Sequence, residues 1–371
     1  MWTAAAIIVP LALAACMGDG DPDRAAEPKD GADTTVFALL ADRTLVQIDA
    51  ANGKLVRRTP VGPETPIAGL GRFLALSADG RRLFALTPIA PDTPQEVTIF
   101  DSRSLRPLDR IPLERGIVFR NIALGPRSGR LYLFGNRPER EGAEDAVVAL
   151  VETDGGTART RTIREAEGHD WWVIDGAVTD DESRLFISYH GGCDVVERLC
   201  TSGADWVDII GDRLVRCKRP SASGFGCLVR VHGGVEPLNG DILAATGGPR
   251  LIEISKAGAI TARLQTRLAG NHVMEFALDA LGERAFALGY CNYTGGVSVL
   301  DLVSKRTRVL TPTVCGEHIA VGGELVAVAE QYGATPLGAP ADIALIDAQT
   351  GSTRDVHVPI ETVDILVVPP D

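Results

Sequence analysis

The chain has 371 residues, of which 45% are hydrophobic and only 5% aromatic, and its formal net charge at pH 7 is −12. An acidic balance with scattered basic residues argues against nucleic acid as a partner, and against attachment to anionic lipid by charge. The length alone would allow two domains, so the domain count has to come from the arrangement of repeats.

The N-terminal segment predicts export. An apolar stretch from Ala4 to Ala15 ends in Leu-Ala-Ala and is followed by Cys16. Small residues before such a cysteine resemble a bacterial lipoprotein signal, so we predict a signal peptide over 1–15 and lipidation of Cys16. An ordinary secretory signal with an accidental cysteine, or a short membrane anchor, stays open as an alternative. Residues 16–35 are rich in Gly, Asp, Pro and charge, which predicts a disordered tether.

Two kinds of hairpin recur along the rest of the chain. In the first kind, an apolar run, a turn rich in Gly, Asp or Ser, and a second apolar run opening with Arg follow one another. This layout is found at Leu74–Leu86, Asn121–Gly135, Asp175–Tyr189 and Glu275–Gly289. In the second kind, a strand that ends in Asp is followed by a turn and a more polar strand. This layout is found at Leu45–Thr59, Val97–Leu113, Val297–Thr311 and Ile343–Val358. Together they make a unit of four strands, A to D.

The units recur about every 48 residues, which is typical of propeller blades. Seven innermost A strands are predicted near Phe73–Ser77, Arg120–Gly125, Ile174–Thr179, His232–Leu238, Val273–Asp279, Glu317–Val321 and Val363–Val368. No B, C or D strand follows the last of them, whereas the first unit begins at Val36 with its B strand. The C-terminal strand should therefore join the first blade and close the ring, which removes open sheet edges. The predicted fold is an all-β, seven-bladed propeller over 36–371.

This layout resembles the seven-bladed bacterial propellers of the YVTN-repeat and lactonase-like class. The resemblance covers nearly all of 36–371 and rests on the repeat pattern, so it implies a fold and not an activity. In lactonase-like relatives the central channel holds His, Glu, Asp, Asn or Arg around a sugar lactone, in some families with a divalent metal.

Six cysteines remain after Cys16, an even number that suits an oxidising compartment. The blade map places them on one face, among the B–C and D–A connections. It favours the pairs Cys193–Cys200, Cys217–Cys227 and Cys291–Cys315, with exchange of partners among the first four left open. Zinc is the rival interpretation, but paired C-x2-C spacing is missing, so no metal site is predicted from the cysteines.

That same face is also the expected site of function, because it carries long B–C connections. These are predicted at Pro88–Glu96, Asn136–Ala146, His190–Asp205 and Gln331–Ala341. Alignment of the A strands puts Asn121, Asp175, Glu275 and His318 in one register around the channel, with Arg120 adjacent. The catalytic candidates are Glu275, Asp175 and His318, as a general base or ligand to a divalent cation. Binding candidates at the channel mouth and in the decorated fourth blade are Arg120, Asn121, His169, Trp171, His190, His232 and His272. The alternative is that these polar groups only satisfy one another, and that the tryptophans only pack.

No assembled catalytic motif is found in the sequence. The favoured function is therefore a lipid-anchored binding module of the cell envelope. It is expected to be a monomer without a resident cofactor, and to have an extracytoplasmic protein, glycan or small molecule as its partner. A lactonase-like hydrolase is the first alternative, and a propeller subunit of a periplasmic oxidoreductase is the second.

Overall fold

The computed structural model of the chain describes residues 34–62, 71–87, 94–138, 144–164, 171–194, 199–210, 213–216, 228–235, 241–246, 249–255, 259–268, 273–279, 281–289, 295–330 and 341–369. For several of these residues in blades 4 and 5 only the backbone is described. The propeller belongs to one compact unit, Asp33–Asp371.

The described strands are numbered in chain order. Those of the first four blades are β1 (Thr35–Leu40), β2 (Thr44–Asp49), β3 (Lys54–Pro60), β4 (Leu74–Leu76), β5 (Arg82–Leu86), β6 (Glu96–Asp101), β7 (Pro107–Pro112), β8 (Val118–Leu124), β9 (Leu131–Pro138), β10 (Glu144–Glu152), β11 (Thr157–Arg164), β12 (Trp171–Val178), β13 (Arg184–Asp194), β14 (Leu199–Ile210) and β15 (Arg213–Arg216). The remaining strands are β16 (Leu228–Val235), β17 (Asp241–Thr246), β18 (Arg250–Ile254), β19 (Ile260–Gln265), β20 (Val273–Leu278), β21 (Arg284–Gly289), β22 (Val297–Asp301), β23 (Thr307–Thr311), β24 (Gly316–Gly322), β25 (Leu325–Glu330), β26 (Ala341–Asp347), β27 (Thr353–Val358) and β28 (Thr362–Val368).

These strands form seven four-stranded antiparallel sheets, and the first sheet closes the ring as the sequence predicts. Six sheets consist of consecutive strands, whereas blade 1 has the order β28-β1-β2-β3. In blade 1, Val36 lies opposite Val367 and Ala38 opposite Ile365. The two ends of the propeller are thus joined by a backbone ladder, and the all-β, seven-bladed prediction is confirmed.

The core lies between the blades and explains why the inner strands are apolar on both faces. One buried cluster joins Phe37 of blade 1 to Leu83 of blade 2 and Leu131 of blade 3. Another joins Val36 of blade 1 to Ile343 of blade 7. Each inner sheet is covered on both sides by its neighbours, so its strands carry nearly continuous apolar runs. The outermost strand β3 is exposed along most of its length, which matches its polar sequence.

The aspartate that ends many C strands organises the C–D turn. The Asp101 carboxylate accepts hydrogen bonds from the backbone N–H of Ser104 at 2.8 Å and from its hydroxyl at 2.6 Å. The Asp347 carboxylate accepts the N–H of Thr350 at 2.6 Å. These bonds lower the pKa of both aspartates. They also give the backbone N–H groups of the turn an acceptor where the pairing between strands ends. The recurrent Asp is therefore a structural signal.

The connections define two faces, named here for later use. The turn face carries the A–B turns, such as 77–81, and the C–D turns, such as 101–106. The loop face carries the B–C and D–A connections. Strand A runs from the loop face to the turn face in every blade, because neighbouring strands are antiparallel.

Two expectations about blades 4 and 5 are corrected. The fifth A strand was expected at His232–Leu238, but β16 spans Leu228–Val235, so His232 lies inside the strand. A long loop was expected over His190–Asp205, but β13 continues to Asp194 and β14 begins at Leu199. In blade 4 the backbone remains extended through Gly191 and Gly192, at the start of the range that was expected to be a loop.

Alanine substitutions at two turn glycines, Gly351 and Gly80, can test the packing between blades. Gly351 has a φ of 76° and a Cβ there would overlap the carbonyl oxygen of Leu310 in blade 6. Gly80 has a similar φ of 68°, but nothing lies near its Cβ position. We expect Gly80→Ala to cost about 1 kcal/mol from backbone strain and Gly351→Ala at least about 3 kcal/mol. Urea unfolding of both variants measures this, and equal losses would contradict the inter-blade contact.

Candidate functional site

In five blades whose A-strand side chains the structure describes, a polar residue lies at the same register position of that strand. In each, the backbone pairing skips one residue just before it, which is the mark of a β-bulge. These residues are Asn121 after the bulge at Arg120, Asp175, Glu275, His318 and Asp364. All five are buried, with at most 6% of their surface exposed. The bulge re-aims the side chain, so a polar group can point into the channel from an otherwise apolar strand.

Arg72 connects these residues across the channel. It lies just before β4 of blade 2, and its Nη2 is 3.6 Å from Asp175 Oδ2 of blade 4. Its Nε is 3.7 Å from Glu275 Oε1 of blade 6, and its backbone N–H donates to Asn121 Oδ1 of blade 3 at 2.9 Å. One guanidinium thus lies between two buried carboxylates that would otherwise repel each other. We call Arg72, Asn121, Asp175, Glu275, His318 and Asp364 the polar ring.

Glu275 also contacts the imidazole of blade 7. The Nδ1 atom of His318 lies 3.1 Å from Glu275 Oε2, and the side chains of both residues are at most 5% exposed. A carboxylate at this distance accepts a hydrogen bond from the ring when the proton is on Nδ1. The pair has the geometry of a base and its orienting group.

Asp364 joins the closing strand to blade 2. Its Oδ2 accepts the backbone N–H groups of Phe73 at 2.6 Å and Leu74 at 2.7 Å, and its Oδ1 accepts the N–H of Ile365 at 2.8 Å. Burial is the main cause that raises its pKa from 3.8 to about 6, and the charge of Glu275 acts in the same direction. The two donors that belong to blade 2, Phe73 and Leu74, make the residue a clasp between the first and second blades.

A cavity of about 660 Å³ lies on the turn-face side of the polar ring. Arg72, Glu275 and Asp364 lie at its inner end, and Asp180, Leu281 and Gly282 belong to A–B turns at its mouth. Its walls are the turn-face halves of A strands, with side chains such as Leu74, Ile122, Leu124, Val178, Leu278 and Val321. The channel therefore combines a polar end with apolar walls.

The structure places the sequence candidates as follows. Asn121, Asp175, Glu275 and His318 converge on the channel in one register, and Arg120 occupies the bulge beside them, half-buried. Their functional roles stay predictions. His169 and His272 lie outside the described residues, and for Trp171, His190 and His232 only the backbone is described. Trp171 lies opposite Gly191 and Trp172 opposite His190 in the β12–β13 ladder.

Sequence reasoning missed three positions. Arg72 precedes the register position, which Phe73 occupies in blade 2. Asp364 stands before Ile-Leu-Val just as Asn121 stands before Ile-Ala-Leu, so a signal was present. In blade 5 the skipped residue is Val229, which puts Arg230 at the register position opposite Ala245, two residues before the expected His232.

The cysteine pairs stay predictions. Cys193 lies directly opposite Cys200 in the β13–β14 ladder, as a cross-strand disulfide requires. Cys315 is disulfide-bonded, while its expected partner Cys291 lies outside the described residues, as do Cys16, Cys217 and Cys227.

Packing explains one of the blade 4 tryptophans. The ring of Trp206 meets that of Phe186 edge-on, with centroids 5.0 Å apart, and packs against a cluster that includes Ala244 of blade 5. This contact supports the interpretation that Trp206 has a packing role, because aromatic pairs in this arrangement mainly stabilise a core.

Neither a metal-ligand cluster nor a membrane-spanning helix is found among the described residues. No group of three or more His, Cys, Asp or Glu side chains among them is arranged to hold a metal ion. The described part of the chain also contains no helix long and apolar enough to cross a bilayer.

Comparisons with known proteins identify the fold alone. No protein-family model and no curated protein sequence matches the chain. Among solved structures, a putative 6-phosphogluconolactonase from Bacteroides fragilis is similar, with 13% identity, 92% of this chain and 99% of that chain covered, and a TM-score of 0.59. Apo AztD from Citrobacter koseri has 13% identity, coverage of 91% and 98%, and a TM-score of 0.56. TolB from Acinetobacter baumannii has 13% identity, coverage of 90% and 82%, and a TM-score of 0.50. The resemblance to bacterial seven-bladed propellers is thus confirmed at the level of fold.

The raised pKa of Asp364 predicts a pH-dependent stability. The folded state holds this proton more tightly than the unfolded state, so the free energy of unfolding should fall as pH rises from about 4 to about 6. A rise in pKa from 3.8 to about 6 corresponds to a loss on the order of 3 kcal/mol. Asp364→Asn should be less stable overall, because its amide replaces one acceptor oxygen, but should lack this component.

The measurement is the difference in unfolding free energy between wild type and Asp364→Asn, taken across that pH window. The exposed Asp355 on β27 gives a matched control in Asp355→Asn. A wild-type advantage over Asp364→Asn that stays constant with pH would contradict the assignment.

Proposed function

We propose that this protein is an exported binding module, held at the cell envelope by lipid on Cys16, which binds an extracytoplasmic protein, glycan or small molecule with its loop face. The signal pattern over 1–15 and the polar composition of 16–35 support export and tethering. The closed propeller over 36–371 supplies a rigid frame, and function on such frames usually lies in their longer connections.

The extended hairpin of blade 4 carries this proposal. Strands β13 and β14 have 11 and 12 residues, and their pairing continues past the blade to Asp194 opposite Leu199. The hairpin therefore projects from the loop face. The β12–β13 ladder places Trp171, Trp172 and His190 at its base. Aromatic residues beside histidine in a projecting element are typical of a recognition surface.

The polar ring supports binding over catalysis. Its described contacts join different blades: Arg72 to Asp175 and Glu275, Glu275 to His318, and Asp364 to the backbone of blade 2. Such contacts satisfy buried charges and hold the ring together. The six members of the polar ring include no serine, cysteine or lysine nucleophile.

We expect the double variant Trp171→Ala/His190→Ala to lose partner binding at least tenfold, because it removes an aromatic and an imidazole group from the base of the projecting hairpin. The measurement is capture from envelope extract and binding to a glycan array by the immobilised protein, with folding checked by thermal melting. Leu281→Ala, which changes an exposed residue of the turn face, is the matched control. Binding lost in the control but kept in the double variant would place the interface elsewhere.

A lactonase-like hydrolase is the second candidate, because one observation favours it. Glu275 and His318 form a buried pair, and Glu275 lines the cavity. A buried carboxylate and imidazole at hydrogen-bond distance suit general base catalysis of water attack on a lactone. The oxidoreductase-subunit alternative stays a prediction.

If hydrolysis is the function, Glu275→Gln should lower lactone hydrolysis by about a hundredfold or more, as loss of a general base does. The exposed His357 pairs with the half-buried Asp342, with Nδ1 to Oδ1 at 2.9 Å, and gives the control His357→Gln. A pH-stat assay with sugar lactones measures both. No turnover by the wild type, or an unchanged rate in Glu275→Gln, would remove the hydrolase candidate.

A further inference from the structure

We propose that the cavity between the polar ring and the turn face is a second binding site, which takes an organic cation with an apolar body. It is separate from the loop face and goes beyond the proposed function, because it opens at the opposite end of the channel. The proposal comes from three features of the cavity: its size, its walls and the charge of the groups that line it.

Size and walls suit a small molecule. A volume of about 660 Å³ lies within the range of about 300–1,000 Å³ that is usual for small-molecule sites. Six blades contribute to its lining, so the space has a fixed shape. The wall residues are mainly aliphatic, among them Leu74, Ile122, Ala177, Leu278 and Ile319. An apolar ligand body would displace water from these walls, which favours binding.

Charge determines the class of ligand. Among the residues whose side chains the structure describes, four carboxyl groups line the cavity, Asp180, Glu275, Asp279 and Asp364, and Arg72 is the one basic residue. The positive charge of Arg72 is also balanced by the fully buried carboxylate of Asp175, which lies 3.6 Å away. Carboxylates accept hydrogen bonds and donate none when ionised. A ligand that enters must therefore bring donors, and an ammonium group supplies both donors and the complementary charge.

The carboxylates at the mouth form ion pairs with arginines that are not themselves part of the cavity wall. Arg284 Nε lies 2.8 Å from Asp279 Oδ2 and Arg127 Nη2 lies 3.7 Å from Asp180 Oδ2, but neither arginine lines the cavity. Low-dielectric walls focus the field of the groups inside, and the net charge of −12 adds to the attraction of a cation. The potential in the cavity should therefore be negative.

The mouth extends the apolar surface into solvent. Leu281 lines the cavity, yet 71% of its surface is exposed. It lies in the A–B turn of blade 6, two residues after Asp279. A ligand with its ammonium near Glu275 and Asp364 would run along the walls and end beside Leu281. The site thus has a polar inner end and an apolar exit, which matches an amine on a hydrophobic body.

Three fluorescent probes that share one apolar body test the proposal. Dansylcadaverine carries an ammonium, an N-alkyl dansylamide is neutral, and a dansylamino alkanoic acid carries a carboxylate. We expect dansylcadaverine to bind with fluorescence enhancement, and the acid to bind at least about tenfold more weakly because like charges repel in the cavity. Added salt should weaken binding of the cation.

Substitutions in the cavity and at its mouth test where the probe binds. Leu281→Arg adds a cation at an exposed position where folding is not at risk, and Asp180→Asn removes an acidic group of the mouth. Each should weaken dansylcadaverine binding, by about threefold for Asp180→Asn. Asp154→Asn, at an exposed C–D turn residue of the same face that does not line the cavity, is the matched control and should bind as wild type. Ala277→Phe should block the cavity if it folds.

Several outcomes would overturn the proposal. Equal affinity for the three probes, or tighter binding of the acid, would show that the ligand class is wrong. No binding of any probe, or binding that Leu281→Arg and Asp180→Asn leave unchanged, would show that this cavity is not the site. None of these results bears on binding by the loop face, which the Trp171→Ala/His190→Ala variant tests.

Discussion

The pairing of β28 with β1 is the constraint on which the rest of the structure depends. Each inner sheet is apolar on both faces, so every blade needs a neighbour on each side. Without the closing strand, blade 1 would lose its A strand and the cluster that joins Val36 to Ile343 would be opened to water. The clasp of Asp364 on the N–H groups of Phe73 and Leu74 extends this closure to the second blade.

The polar ring follows from the same constraint. Seven A strands meet around one axis, and side chains placed at one register position must meet there too. The bulge before each polar residue allows an apolar strand to present one such group without losing its inter-blade packing. Once buried, carboxylates need partners, and Arg72 lies near two of them. Holding the ring together and forming the inner end of a cavity are therefore two effects of one arrangement.

The repeat pattern alone was sufficient to predict the fold, because hairpin signals are local and each blade repeats them. Closure followed from the unmatched strands near Val36 and Val363. The register of Asn121, Asp175, Glu275 and His318 also followed, because an apolar triplet comes after each. Blade 5 was misplaced because two overlapping alternations, around Arg230 and His232, fit equally well until the bulge at Val229 decides between them. Contacts across the channel could not be predicted, since no local pattern shows how far the Arg72 side chain reaches.

The ladder of blade 1 has a consequence for where the chain meets the propeller. Thr35 lies opposite Val368, so the described polypeptide both enters and leaves the propeller at the turn face, where the cavity opens. A fluorophore or affinity tag attached after Val368 would therefore lie beside the mouth of the cavity, at the end of the propeller opposite the blade 4 hairpin.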